Sequence, residues 1–265
     1  MRLACAAGGF YPGTAEELKQ SIKDCFKHKF GPTGSSVPIV GAVIPHAGYQ
    51  YSGPGAAWIY HHLKSNKKQT VVYLGPNHTG YGTPISASSD SAWMTPLGEV
   101  QVDVKLRDMI AEACKDVLVE PTAHKFEHSI EVQLPFLQTT WEDPKIVPIS
   151  LATMDAKVLQ KLGKALSKLD CIILASSDMS HYLNQEQANE KDKIAIEQIL
   201  KLSPTGLLET VQANSISMCG AAAVAVMLWA LKGKAKKAEL LKYYTSGDIT
   251  GDKSTVVGYA SIAIR

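Results

Sequence analysis

The sequence predicts an α/β protein, a single α/β sandwich over residues 1–265 with a mixed, largely buried central sheet. Three observations carry this. Strand-like and helix-like segments alternate along the chain with no linker or repeat between them. Runs such as Cys171–Ala175 are apolar and β-branched throughout, the pattern of strands covered on both faces. Near the C-terminus, Leu240–Thr245 and Thr255–Ile264 follow one another without a full helix between them, which makes part of the sheet antiparallel.

Taken in order, Thr14–Lys29 carries Leu18, Ile22, Cys25 and Phe26 at helical spacing behind a Thr14/Glu17 capping box. The strand Val37–Ile44 runs into PHAGYQYSGPGAAW, a glycine-rich turn that feeds a helix at about Gly55–Leu63. Thr70–Leu74 is a second strand, ending in GPNHTG. Ile85–Val102 reads as an irregular hairpin, Val104–Cys114 as a helix, and Glu127 opens a short helix, EHSIEVQLPFL. Strand Ile146–Leu151, helix Ala156–Leu169 and strand Cys171–Ala175 come next. Beyond them lie helices at Gln185–Leu200, Pro204–Gln212 and Asn214–Leu231, the last apolar on every side and so placed in the core. The segment SGDITGDKS reads as a surface turn, since its glycines and lysine miss the spacing of a phosphate-binding loop.

Composition narrows the function classes. A formal charge of +2 with no basic stripe gives no field that would gather nucleic acid or an anionic membrane. The longest apolar run, Gly220–Leu231, is about half of the roughly 20 residues that a bilayer span needs. The start MRLACAAGGFYPG is too brief for a secretion signal, so a cytoplasmic location is expected. Five cysteines, unclustered and without a CxxC, argue against a disulfide framework or a zinc knuckle. Gly48, Gly53 and Gly55 lack the spacing of a dinucleotide fingerprint, which argues against a nicotinamide cofactor.

Polar chemistry gathers at strand ends. His46 follows the strand that ends at Ile44, His78 the one that ends at Leu74, and Asp178 and His181 follow Cys171–Ala175. Ligands bind at the C-terminal edge of an α/β sheet, so three strands would deliver imidazoles and a carboxylate to one edge. His46 and His78 each read as a metal ligand, a general base or a buried histidine bonded to a carbonyl, and their recurrence among glycines favours a shared role. Asp178 and His181 would lie side by side in a helical turn, where the carboxylate could orient the imidazole; the alternative is an aspartate that caps the following turn. Cys219 stands before the apolar helix, whose N-terminal partial charge would lower a thiol pKa; the alternative is a small buried hydrophobe. His128, between Glu127 and Glu131, reads as a surface or supporting residue rather than a direct ligand. His28, His61, His62 and His124 have no supporting context.

PHAGYQYSG, LGPNHTG, TPLGEV, EHSIEVQLPFL, SSDMSHY, Cys219-Gly220 and SGDITGDKSTVVGYASI, in this order over nearly the whole chain, resemble the Memo family, also called AmmeMemoRadiSam system protein B. The resemblance implies a fold similar to the class III extradiol dioxygenases, with a metal pocket at one end of the sheet. It implies His46, His78 and Cys219 as metal ligands, and Asp178 and His181 beside them as catalytic residues, His181 in the acid-base position. Phe10 and Tyr51 would line the substrate-binding mouth. The dioxygenases hold iron by two histidines and a carboxylate, where this chain has a cysteine. A thiolate is softer, suits Cu(I), zinc or iron in a different redox range and can itself be oxidised, which points away from catechol ring cleavage.

The expectation is therefore a protein that binds Fe(II) or copper, with redox or oxidase-like chemistry on a small molecule or peptide. Two other readings stand beside it. One is a non-catalytic module whose cleft binds a peptide or small ligand, as the resemblance to animal Memo proteins associated with phosphotyrosine peptides implies. The other is a metal-assisted hydrolase, which a His/His/Cys set could serve with zinc.

Overall fold

The structure, a computed structural model, describes residues 1–67 and 70–265. Among these residues the strands are β1 (Gly41–Ile44), β2 (Thr70–Pro76), β3 (Ile85–Ser88), β4 (Ala92–Thr95), β5 (Gly98–Val102), β6 (Leu118–Glu120), β7 (Lys145–Leu151), β8 (Ile172–Ser176), β9 (His181–Leu183), β10 (Ala238–Thr245) and β11 (Val256–Ile264). The helices are α1 (Ala15–Lys27), α2 (Tyr49–Leu63), α3 (Val104–Ala113), α4 (Leu134–Thr140), α5 (Ala156–Leu166), α6 (Gln185–Leu200), α7 (Pro204–Ala213), α8 (Ala221–Ala230) and α9 (Ser246–Thr250).

The strands form one mixed sheet in the order β10-β11-β1-β8-β2-β7-β3-β6. Its centre, β1-β8-β2-β7, is parallel. The closely spaced β10 and β11 pair antiparallel and β11 runs antiparallel to β1, as the missing crossover helix requires. β4 and β5 form a hairpin laid along β7, and β9 pairs with β11.

Alternation along the central strands splits the core into two layers. Val43, Val72, Leu74, Ile173 and Ala175 face α5, α6, α7 and α8, through residues such as Leu159, Leu162, Ile199, Leu207 and Val224. Ala42, Ile44, Val71, Tyr73, Ile172 and Leu174 face α1, α2 and α4, through Leu18, Ile22, Ile59, Tyr60 and Phe136. A sheet covered on both faces has no polar face to show, which is why its strands read as continuous apolar runs. Among the described residues no helix is long and apolar enough to cross a membrane.

Beyond the short strands β6 and β9 and the helix expected from Glu127, which begins at Leu134, three elements differ from the sequence expectation. Helix α2 starts at Tyr49, through the glycines and Pro54 that read as a turn. Packing outweighs propensity there: the Gly55 N–H is bonded by the Tyr244 hydroxyl at 3.1 Å, and a side chain at Gly53 would collide with Cys25. The apolar helix starts at Ala221 instead of Asn214, because Ser215 turns into the left-handed region (φ 48°) and the segment before Gly220 runs to the sheet edge. SGDITGDKS is not a plain turn: Thr245 and Asp248 form a capping box that starts the short helix α9.

Candidate metal centre

Neighbouring parallel strands end on the same side, and β1, β8 and β2 are neighbours in that order. Their C-terminal ends release His46, the Ser177–His181 segment and His78 around one cavity of about 920 Å³. His46, His78, His128, Asp178, His181 and Cys219 all line it, with Phe10, Tyr51, Tyr182 and Tyr259 among its aromatic neighbours. The serine and threonine side are Ser217, Ser246, Thr250 and Thr255. Among the described residues lining it there is no Lys or Arg.

The ligand atoms of His46, His78 and His128 lie within 4.8 Å of one another, a group that could hold a metal ion. Their rings nest: His78 stacks on His128 with centroids 4.7 Å apart, and His46 meets both edge-on at 5.3 and 5.6 Å. Phe10 stacks on the other side of His128 at 4.2 Å. Cys219 Sγ sits 3.2 Å from His46 Nε2. Gly220, next to that cysteine, packs so tightly on β8 that a Cβ would collide with the Ser176 carbonyl, so only glycine lets the sulfur approach.

The structure thus changes two of the sequence expectations. His128 is no surface residue: its loop folds back over the sheet edge and puts the ring in the cluster. Asp178 and His181 do not share a helical turn, since residues 177–180 are irregular and His181 opens β9. The Asp178 carboxylate accepts the His46 backbone N–H at 2.7 Å, and His181 is held by Ser217, whose carbonyl accepts from Nδ1 at 2.8 Å and whose hydroxyl accepts the His181 N–H at 2.7 Å.

Burial governs the electrostatics. It pushes the His46 imidazole well below its ordinary pKa, with neighbouring His128 and His78 acting in the same direction. His128 is lowered to about 4, again by burial, with the His78 charge adding and Glu127 opposing. For His78 burial also acts downward, but the bond to Glu127 and its charge outweigh it, and the pKa is raised. Burial pushes Asp178 up to about 6 against the His46 N–H and the nearby imidazoles. The Cys219 thiol is raised by burial and by Asp178, the opposite of what a helix N-terminus alone would do. Desolvation of a buried sulfur outweighs a fractional dipole charge, so the metal-free thiol stays protonated.

No apolar strand precedes His128, so the pattern of histidines at strand ends does not include it. The available signal was the Glu127-His128-Ser129 triplet, a carboxylate, an imidazole and a hydroxyl in succession.

An α/β sandwich with a histidine cluster at the C-terminal edge of its parallel strands defines a class of protein able to hold a metal at that edge. The family model described as Memo-like protein matches residues 2–263. A MEMO1 family protein of Methanopyrus kandleri is 43% identical over 279 residues, covering 100% of this chain and 99% of the relative. Another, from Methanocaldococcus jannaschii, is 43% identical over 287 residues at the same coverage, and one from Ignicoccus hospitalis is 43% identical over 280 residues, covering 99% and 98%. The chain belongs to the Memo family.

Proposed function

We propose that the pocket binds iron or copper through His46, His78 and Cys219 and carries out redox chemistry on a small molecule in the cavity. The observation that supports this most is the approach of imidazole nitrogens and a thiol at one end of a roomy cavity. The donors suit a soft or borderline transition metal: imidazole serves iron, copper and zinc alike, and sulfur favours Cu(I), zinc and iron over the hard cations. His46 Nδ1 and His78 Nδ1 are both bonded to protein oxygens, which leaves Nε2 as the binding atom of each ring, that of His46 already beside Cys219 Sγ. The bound metal would supply electron transfer and Lewis-acid polarisation of a ligand.

The chain's own residues supply the rest. His181 donates Nδ1–H to the Ser217 carbonyl, so its Nε2 is the basic atom and takes or returns a proton at the cavity. Asp178, buried in the cavity lining, favours positive charge on His78 and fixes the His46 main chain. Phe10 and Tyr51 form apolar wall against which a planar ligand packs. With no lysine or arginine among the described lining residues, the cavity lacks the fixed cations that match a phosphate dianion best, which places the phosphopeptide reading behind this one.

Anaerobic loading with Fe(II) and with Cu(I), followed by metal analysis, tests the proposal. Wild type should take up one of them stoichiometrically, and a His46→Ala, His78→Ala double variant should lose it. Equal uptake by both proteins would refute the site. Uptake of zinc alone, with hydrolysis of a test ester abolished by chelation, would favour the hydrolase; peptide binding that survives chelation and loss of Cys219 would favour the binding module.

A further inference from the structure

Behind the two imidazoles that open onto the cavity lie two buried acceptors. Glu127, 1% exposed, accepts from His78 Nδ1 at 2.9 Å and from the His78 backbone N–H at 2.6 Å. The same carboxylate accepts the Ser129 N–H at 2.9 Å and lies 3.6 Å from His128 Nδ1. Ser176, at the end of β8, faces His46 Nδ1 at 2.8 Å. Its hydroxyl proton is already committed to the Ser129 carbonyl at 2.7 Å, so Oγ can only accept from the imidazole. Both rings are thereby held in the Nδ1–H tautomer with Nε2 unprotonated, that of His46 facing Cys219 Sγ at 3.2 Å.

We infer that Glu127 and Ser176 are positioning residues that set tautomer, orientation and basicity of His78 and His46, so that the pocket is arranged for a metal before one arrives. This rests on the metal reading above. A carboxylate or hydroxyl behind an imidazole ligand is the general means of fixing which nitrogen binds, and its loss costs about 10–100-fold in metal affinity. Ser129 ties the two supports together: its N–H goes to Glu127 and its carbonyl takes the Ser176 proton. One residue of the 127–129 triplet thus braces ligands that come from two different strands. Glu127 is further anchored from the far side, where the Arg2 guanidinium donates to its backbone carbonyl at 2.8 Å.

The substitutions are Glu127→Gln, which keeps the volume but turns an N–H toward the His78 backbone N–H, Glu127→Ala and Ser176→Ala. Two readouts apply. Co(II) and Zn(II) dissociation constants, by chelator competition, should rise about 10–100-fold in the Glu127 variants, with a changed visible Co(II) spectrum. In metal-free protein at alkaline pH, imidazole nitrogen NMR should report Nδ1–H on His78 and His46 in the wild type. His78 should lose that preference in Glu127→Ala and His46 in Ser176→Ala, while Glu127→Gln keeps an amide oxygen toward His78 Nδ1 and is read by its metal affinity. Wild-type affinity in folded Glu127→Gln, or an Nε2–H His78 in the wild type, would overturn the role of Glu127. Wild-type protein that binds neither cobalt nor zinc would overturn the metal reading and this inference together, so the two failures are distinguishable. Should Glu127→Ala fail to fold, Glu127→Gln and the wild-type tautomers still decide.

Discussion

Replacing Arg2 with Met should destabilise the fold by about 3–5 kcal/mol, the cost of stranding one partner of a buried ion pair. The Arg2 and Glu131 side chains are 3% and 0% exposed, and their charged atoms are 2.6 Å apart. Glu131 also accepts the Tyr11 hydroxyl at 2.6 Å and the Cys5 and Ala6 N–H groups at 2.9 and 2.8 Å, so in the variant it keeps neutral donors but loses its only counter-charge among the described partners. The guanidinium additionally binds the His124 and Glu127 carbonyls and lies 4.1 Å over the Trp93 ring, contacts a methionine does not replace. With an unfolding entropy of about 2.1 cal/mol/K per residue, a chain of 265 residues has about 0.56 kcal/mol/K in total, so the midpoint should fall by about 5–9 °C. Calorimetry of wild type and Arg2→Met, with urea unfolding as a check on the free energy, makes the measurement. Arg2→Met combined with Glu131→Gln should regain part of the loss, since the unpaired charge is then gone. A single-variant loss under about 1 kcal/mol would mean that water reaches Glu131 and that the pair is not the buried clamp described here.

Acid should weaken the protein through His124. Its Nε2 donates to the Ser86 carbonyl at 3.0 Å, Nδ1 has no hydrogen-bond partner among the described residues, and burial lowers its pKa to about 4. The folded pKa lies below the unfolded value of 6.5, so between pH 6.5 and about 4 the unfolded chain binds the extra proton, and stability falls as pH falls. At pH 5 the His124 share amounts to about 2 kcal/mol, read as the difference between wild type and His124→Gln in the stability lost from pH 7 to 5 by urea unfolding, since the lowered His46 and His128 add to the slope in both proteins; an equal loss in the two would refute the assignment. Tyr182→Gly should stabilise the protein by about 0.5–1 kcal/mol, because Tyr182 holds φ 59° while 79% exposed and gains little packing in return. A loss of stability in that variant would show that the ring packs on the cavity rim after all.

Much of this was legible in the residues because burial on both faces writes itself into composition. Ile172–Ser176 and Thr70–Pro76 can be seen as core strands from their apolar letters, and a histidine just past such a run has to lie at the strand's C-terminal edge. The letters thus determined the sandwich and the positions of His46, His78 and Asp178 at one edge of it. Glycine-rich α2 was hidden because local propensity opposes a helix there, and only packing against Cys25 and Tyr244 overrides it.

Tertiary structure alone decided which groups meet. His128 reaches the cluster because the loop before α4 folds across the sheet edge, braced by Arg2 from more than a hundred residues away, and no local pattern encodes that path. It also decided the protonation of Cys219. A sequence shows a thiol ahead of a helix and its dipole, but desolvation depends on how many atoms from distant segments close around the sulfur. That closure is long-range, and here it outweighs the local field.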